Sequence, residues 1–131
     1  MTKLTSLLRK GEDYSASSWH CSHVLPGVRF AIKRVSLGQR IELNQRVREL
    51  TLKHEFLRAG DASSQLEAAL SDLLVAKLYL EWGLESIEGL TIDGKKATAE
   101  TLIRSGPEKL SEEIVRVIQA ESGLTGDERK N

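Results

Sequence analysis

With 131 residues the chain has the size of one domain, enough for a single hydrophobic core and too little for two ordinary ones. Apolar residues make up 40% and charged residues 29%, which excludes the disordered and membrane classes, and the single cysteine excludes an internal disulfide. Net charge is zero, but Met1 to Gly60 carries 11 Lys or Arg against 5 Asp or Glu, and Asp61 to Asn131 carries 8 against 14. That division can be met inside the fold, between copies or by a charged ligand.

The stretch GEDYSASSWHCS is polar, serine-rich and without period, so residues 1–23 are expected to form a flexible arm. No apolar run reaches the length of about 20 that spans a bilayer, and Met1 to Lys10 lacks the apolar core of a secretion signal. The expected compartment is therefore the cytoplasm. After Pro26 and Gly27, Val28, Phe30 and Ile32 alternate with Arg29, Ala31 and Lys33, predicting a strand over Val28 to Val35. Ser36 is placed to cap a helix that runs to Gly60.

That helix carries apolar residues on two sides. Leu43, Val47, Leu50, His54 and Leu57 fall in one band, about 80° wide, that is expected to face the core; Ile41, Leu52 and Phe56 lie roughly opposite. Covering the second stripe requires another segment of the chain or a partner. A second helix from Ala62 or Ser63 to Trp82 places Leu66, Ala69, Leu70, Leu73, Ala76 and Leu80 on one face, expected to be its core side. The short connection through Gly60 and Asp61 makes the two helices antiparallel neighbours. Beyond Gly83, short apolar pieces from Leu84 to Ile92 followed by Asp93-Gly94 predict a hairpin that pairs with the first strand. Thr98 caps a short helix over Ala99 to Arg104, and Pro107-Glu108 starts a last one with Leu110, Ile114, Val117 and Ile118 on its apolar face.

The predicted fold is thus α+β, mainly α: an antiparallel helix pair, a small β-hairpin or sheet and a C-terminal helix. One globular domain is expected over residues 24–124, with 125–131 as a polar tail.

The sequence carries few residue clusters with chemistry to offer. His20, Cys21 and His23 are the one cluster of metal-ligand types, and tetrahedral zinc needs about four converging ligands; no metal and no cofactor are expected. Cys21 beside His20 suggests a nucleophile only by adjacency, and neighbours on a chain need not face each other. Glu108, Glu112 and Glu113 read as a solvated acidic first turn favoured by the helix dipole. No catalytic residue is identified, and no enzymatic activity is expected. Arg29, Lys33, Arg34, Arg40, Arg46, Arg48, Lys53 and Arg58 raise nucleic-acid binding, but the helical arginines point at scattered angles and stacking aromatics are few. Protein binding is the better reading.

The order of a basic strand and helix, LPGVRFAIKRVSLGQRIELNQRVREL, then LYLEWGLESIEGLTIDGKKATAETLIRSGPEKL with its following helix and the ERKN ending, resembles the tail assembly chaperones of long-tailed phages and prophages, from Val24 to the terminus. The resemblance implies a helper in the bacterial host cytoplasm that binds the tape-measure protein, self-associates as a homo-oligomer and acts before tail-tube subunits polymerise, the tail-tube protein being a further partner. Such a protein shields helices with apolar strips, and the candidate strip here is Ile41, Leu52 and Phe56 with Arg48 beside it. The alternative is a small phage structural or adaptor protein that stays in the finished particle; membrane and nucleic acid are not expected partners.

Overall fold

The computed structural model describes residues 16–55 and 62–122. The fold is α+β and mainly α, as the sequence predicts. Strands β1 (Ser17–Cys21), β2 (Arg29–Lys33) and β3 (Leu84–Glu88) form an antiparallel sheet in the order β1-β2-β3. Helices α1 (Leu37–Glu55) and α2 (Ala62–Gly83) lie between β2 and β3 in sequence; a two-strand ribbon, β4 (Thr91–Ile92) and β5 (Lys95–Lys96), and helices α3 (Ala99–Ser105) and α4 (Glu108–Ser122) follow.

Strand β2 is the centre of the sheet, with Phe30, Ala31 and Ile32 all buried. Its hairpin to β1 closes through Leu25-Pro26-Gly27-Val28, where the Val28 N–H donates to the Leu25 carbonyl at 3.1 Å and Gly27 has φ 91°. Proline followed by a residue with positive φ is the pattern of a type II turn. Strand β1 corrects the reading of residues 1–23 as an arm: 17–21 are the edge of the sheet, so the folded body begins before residue 24. Residues 1–15 and the tail 125–131 lie outside the described residues.

The partner on the other side, β3, contains a bulge. Phe30 pairs with Ile87 and Ala31 with Ser86, but Ile32 pairs with Leu84, leaving Glu85 as the extra residue. A bulge of one residue restores two side chains three apart to the same face. Leu84 and Ile87 therefore both join Phe30 and Ile32 in the core, although LESIE does not alternate.

The expected caps and the Asp93-Gly94 turn are present, but the hairpin this turn closes does not pair with the first strand: β4 and β5 form a sheet of their own, and of the stretch from Leu84 to Ile92 only β3 pairs with β2. Ser36 Oγ accepts the Gln39 N–H at 3.2 Å while Gln39 Oε1 accepts the Ser36 N–H at 2.9 Å, a reciprocal capping box at the start of α1. Thr98 and Thr101 make the same exchange ahead of α3. Asp93 and Gly94 both have positive φ, 52° and 80°, as a two-residue type I′ hairpin requires. Gly83 ends α2 for a different reason: a Cβ there would lie 2.7 Å from Ile118, so its lack of a side chain lets α2 approach α4.

Helices α1 and α2 run antiparallel. The Arg46 guanidinium lies 5.8 Å from the Trp82 ring centroid, and one turn further along α1 the Leu50 carbonyl accepts from Ser71 Oγ at 3.4 Å. On α1, Leu43 is buried, and Val47 and Leu50 are partly so, as expected; Leu57 and the side chain of His54 are outside the description. On α2 the expected core face is corrected. Leu66, Leu70 and Leu73 are exposed, while Ala68, Ser71 and Tyr79 are buried on the opposite side. Small residues at 68 and 71 let α1 approach closely, and the helix carries enough apolar side chains elsewhere that its pattern does not select a face. Leu80 is buried.

The core proper lies between the sheet, the C-terminal half of α2 and helices α3 and α4. Phe30, Ile32, Ile87, Leu102, Leu110, Ile114 and Ile118 are fully buried in it. No helix among the described residues is long and apolar enough to cross a membrane.

Candidate functional site

The strip expected to bind a partner occupies the outer side of α1. Its Ile41 and Leu52 are each 50% exposed, Arg48 is exposed, and Phe56 lies outside the described residues. Leu37, 76% exposed, extends the strip by one turn towards the N-terminus. Position 37 is within about 40° of Ile41 on the helix circumference, so the same angular count that finds Ile41 and Leu52 also finds it. From Leu37 to Leu52 the strip spans about 22 Å, or four turns of helix. With Leu43 in the core and Val47 partly buried against it, this face turns to solvent, because the two bands stand on opposite sides of one rod.

A second apolar strip lies on α2, formed by Leu66 (72% exposed), Leu70 (49%) and Leu73 (60%), with Leu74 at its margin. Beside it a groove of about 600 Å³ opens between α2, α3 and α4, walled by Leu73, Leu80, Leu102, Ile103 and Val115 and edged by Lys77, Glu112 and Arg116. The sequence reading missed this surface because it assigned these leucines to the core.

The polar clusters have structural explanations. Glu113, expected in a solvated first turn, is buried; Glu108 and Glu112 are exposed. Its carboxylate accepts from Ser22 Oγ and from the His23 N–H, each at 2.7 Å. Ser22 Oγ in turn accepts the N–H groups of Val24 and Leu25 at 3.1 and 2.9 Å. Burial pushes the Glu113 carboxyl pKa up, but the Ser22 hydroxyl, the backbone donors of His23 and Val24 and the nearby His23 charge outweigh it, leaving the value below the ordinary carboxylate range. This group ties the β1–β2 loop to α4. The signal was available, since Glu113 falls about 60° from Leu110 on the apolar side of α4.

Ser18, His20 and Glu121 form a triangle at the end of α4. His20 Nε2 is 2.9 Å from Glu121 Oε2 and 3.1 Å from Ser18 Oγ, while Ser18 Oγ also lies 3.1 Å from Glu121 Oε1. A nucleophilic relay needs the serine on one imidazole nitrogen and the carboxylate on the other. Here both share Nε2, so the triangle holds β1 against α4 without activating the hydroxyl. Cys21 is exposed, and as the next residue of a strand it points to the opposite face from His20. Among the described residues no three His, Cys, Asp or Glu side chains converge as metal ligands.

Part of the charge division is met inside the fold. Arg29 pairs with Glu88 at 2.8 Å and stacks 4.3 Å from the Trp19 ring centroid, and Ser17 Oγ donates to Glu85. Arg46 instead pairs within the basic half, with Glu42 at 3.3 Å on α1. Two of the basic side chains that raised nucleic-acid binding, Arg29 and Arg46, are thus engaged with carboxylates. The chain matches no protein-family model, and comparison with curated proteins and with solved structures gives no match.

Proposed function

We propose that this protein works by binding other proteins, as a tail assembly chaperone that holds the tape-measure protein through the outer face of α1. The observation that carries the reading is the exposure of Leu37, Ile41 and Leu52 along one side of a helix whose other side is in the core. An amphipathic client helix laid along this strip buries apolar surface on both partners, at about 25 cal/mol per Å². Arg48, exposed on the same side, is placed to pair with client carboxylates at the rim. The likeness of LPGVRFAIKRVSLGQRIELNQRVREL and LYLEWGLESIEGLTIDGKKATAETLIRSGPEKL to tail assembly chaperones names the client, and a shielding role needs no reacting group.

Co-expression with the tape-measure protein of its own gene block tests the proposal. A soluble complex, with more client in the soluble fraction than when it is made alone, is the expected result. No complex and no gain in client solubility contradict it. The chaperone is also expected to be absent from purified particles by mass spectrometry, whereas a structural adaptor stays in them.

A further inference from the structure

Residues 66, 70, 73, 77 and 80 of α2 step by four, three, four and three, the spacing of a coiled-coil seam. They fall within about 80° of the helix circumference. Four are leucines and one is Lys77; Leu66, Leu70 and Leu73 stand open to solvent, and Leu80 closes the seam into the body. The face that α2 turns to α1 and the core is the opposite one, through Ala68, Ser71 and Tyr79. The seam is therefore a second contact surface on a helix already anchored from behind, and its heptad register suits another helix of the same kind.

We infer that a second copy of this chain covers the seam, the two α2 helices packing antiparallel about a two-fold axis between Leu70 and Leu73. Charge selects the orientation. A parallel pair sets Lys77 against Lys77 within the seam, a like-charge contact. The antiparallel pair sets Leu70 of each copy against Leu73 of the other and Leu66 against Lys77, so that the Lys77 ammonium reaches Glu67 of the second copy. Lys77 lies 4.0 Å from Glu81 and its side chain is half exposed, so it can turn to that partner.

The groove supplies a second reason. Its walls include Leu73, Lys77 and Leu80 from the same seam, together with Leu102 and Val115. In the antiparallel register, Leu66 of one copy arrives beside Lys77 of the other, at this groove. The most exposed leucine of α2 thus meets the apolar hollow, and two-fold symmetry makes the contact twice, as an isologous interface requires. The interface does not rest on the client reading, since the α1 strip takes no part in it.

Sedimentation velocity of the full chain across a concentration series tests the inference. The expected species is a dimer. Leu66→Glu with Leu70→Glu is expected to weaken it by at least about tenfold, with the far-ultraviolet circular dichroism unchanged because both side chains are exposed. Lys77→Glu is expected to weaken it less, and adding Glu67→Lys to the same chain to restore it. A chain that sediments as a monomer at all concentrations overturns the inference, as does a dimer that both leucine substitutions leave intact; failure of the charge exchange to restore association overturns the antiparallel seating. Client solubilisation by the leucine variant, measured separately, distinguishes loss of the dimer from loss of client binding.

Discussion

The sheet with α4 and the α1–α2 pair treat their large apolar residues in opposite ways. In the first region Phe30, Ile32, Ile87, Leu110, Ile114 and Ile118 are sealed from water, and the charged group Glu113 is buried with its hydrogen bonds made. In the second, Leu37, Ile41, Leu52, Leu66, Leu70 and Leu73 remain in solvent on two faces. Exposed apolar side chains contribute little to the stability of a monomer, so the fold draws its stability from the closed region. The open pair is left free to associate.

Substitutions in the closed region are therefore expected to cost most. Ile114→Ala removes a fully buried side chain facing the sheet and should destabilise by about 2–5 kcal/mol, read from the urea midpoint at constant m-value. Gly89→Ala comes next: φ is 87° and a Cβ would lie 2.2 Å from the Gly27 carbonyl oxygen, so the two backbones must separate. A loss of about 1–3 kcal/mol is expected, with the melting temperature falling accordingly.

Glu113 sharpens the comparison through pH. Its folded pKa is lowered, so in the folded state it binds a proton less readily than in the unfolded chain, whose ordinary value is 4.5. The stabilisation it gives is complete above that value and is lost as pH falls through the lower, folded pKa. Glu113→Gln should flatten this acid limb of the stability profile, and Glu113→Ala should cost about 1–3 kcal/mol at pH 7 by leaving Ser22 and His23 donors unpaired. Equal acid sensitivity in wild type and Glu113→Gln removes the carboxylate from the account. At the small end, Ile41→Gln or Leu52→Gln is expected to change unfolding free energy by no more than about 0.5 kcal/mol. A large loss there would show that the α1 strip is structural after all.

What was legible in the sequence follows the same division. The turns and caps were readable because each needs a particular residue for a local reason: Ser36 and Thr98 accept free helix N–H groups, and Asp93-Gly94 tolerates positive φ. The central strand was readable from its alternation. Strand β1 was not, because SSWHC is a polar edge strand whose order comes from pairing with β2, although the Leu25-Pro26-Gly27-Val28 turn marks where a hairpin would close. The core face of α2 was misread because periodicity finds apolar stripes but does not say which one faces inward. Close packing of α1 at Ala68 and Ser71 decides that, and such packing is a tertiary fact. On the candidate site, opposition of Ile41 and Leu52 to Leu43 located the outer face of α1, while the exposure of the α2 leucines depended on the same tertiary choice.

The most direct test of the account is client capture by Ile41→Glu/Leu52→Glu, measured as the amount of tape-measure protein held in solution beside the wild-type chain, with the melting temperature recorded on the same samples. Loss of capture with the melting temperature essentially unchanged is the expected result. Undiminished capture by a folded variant would contradict it.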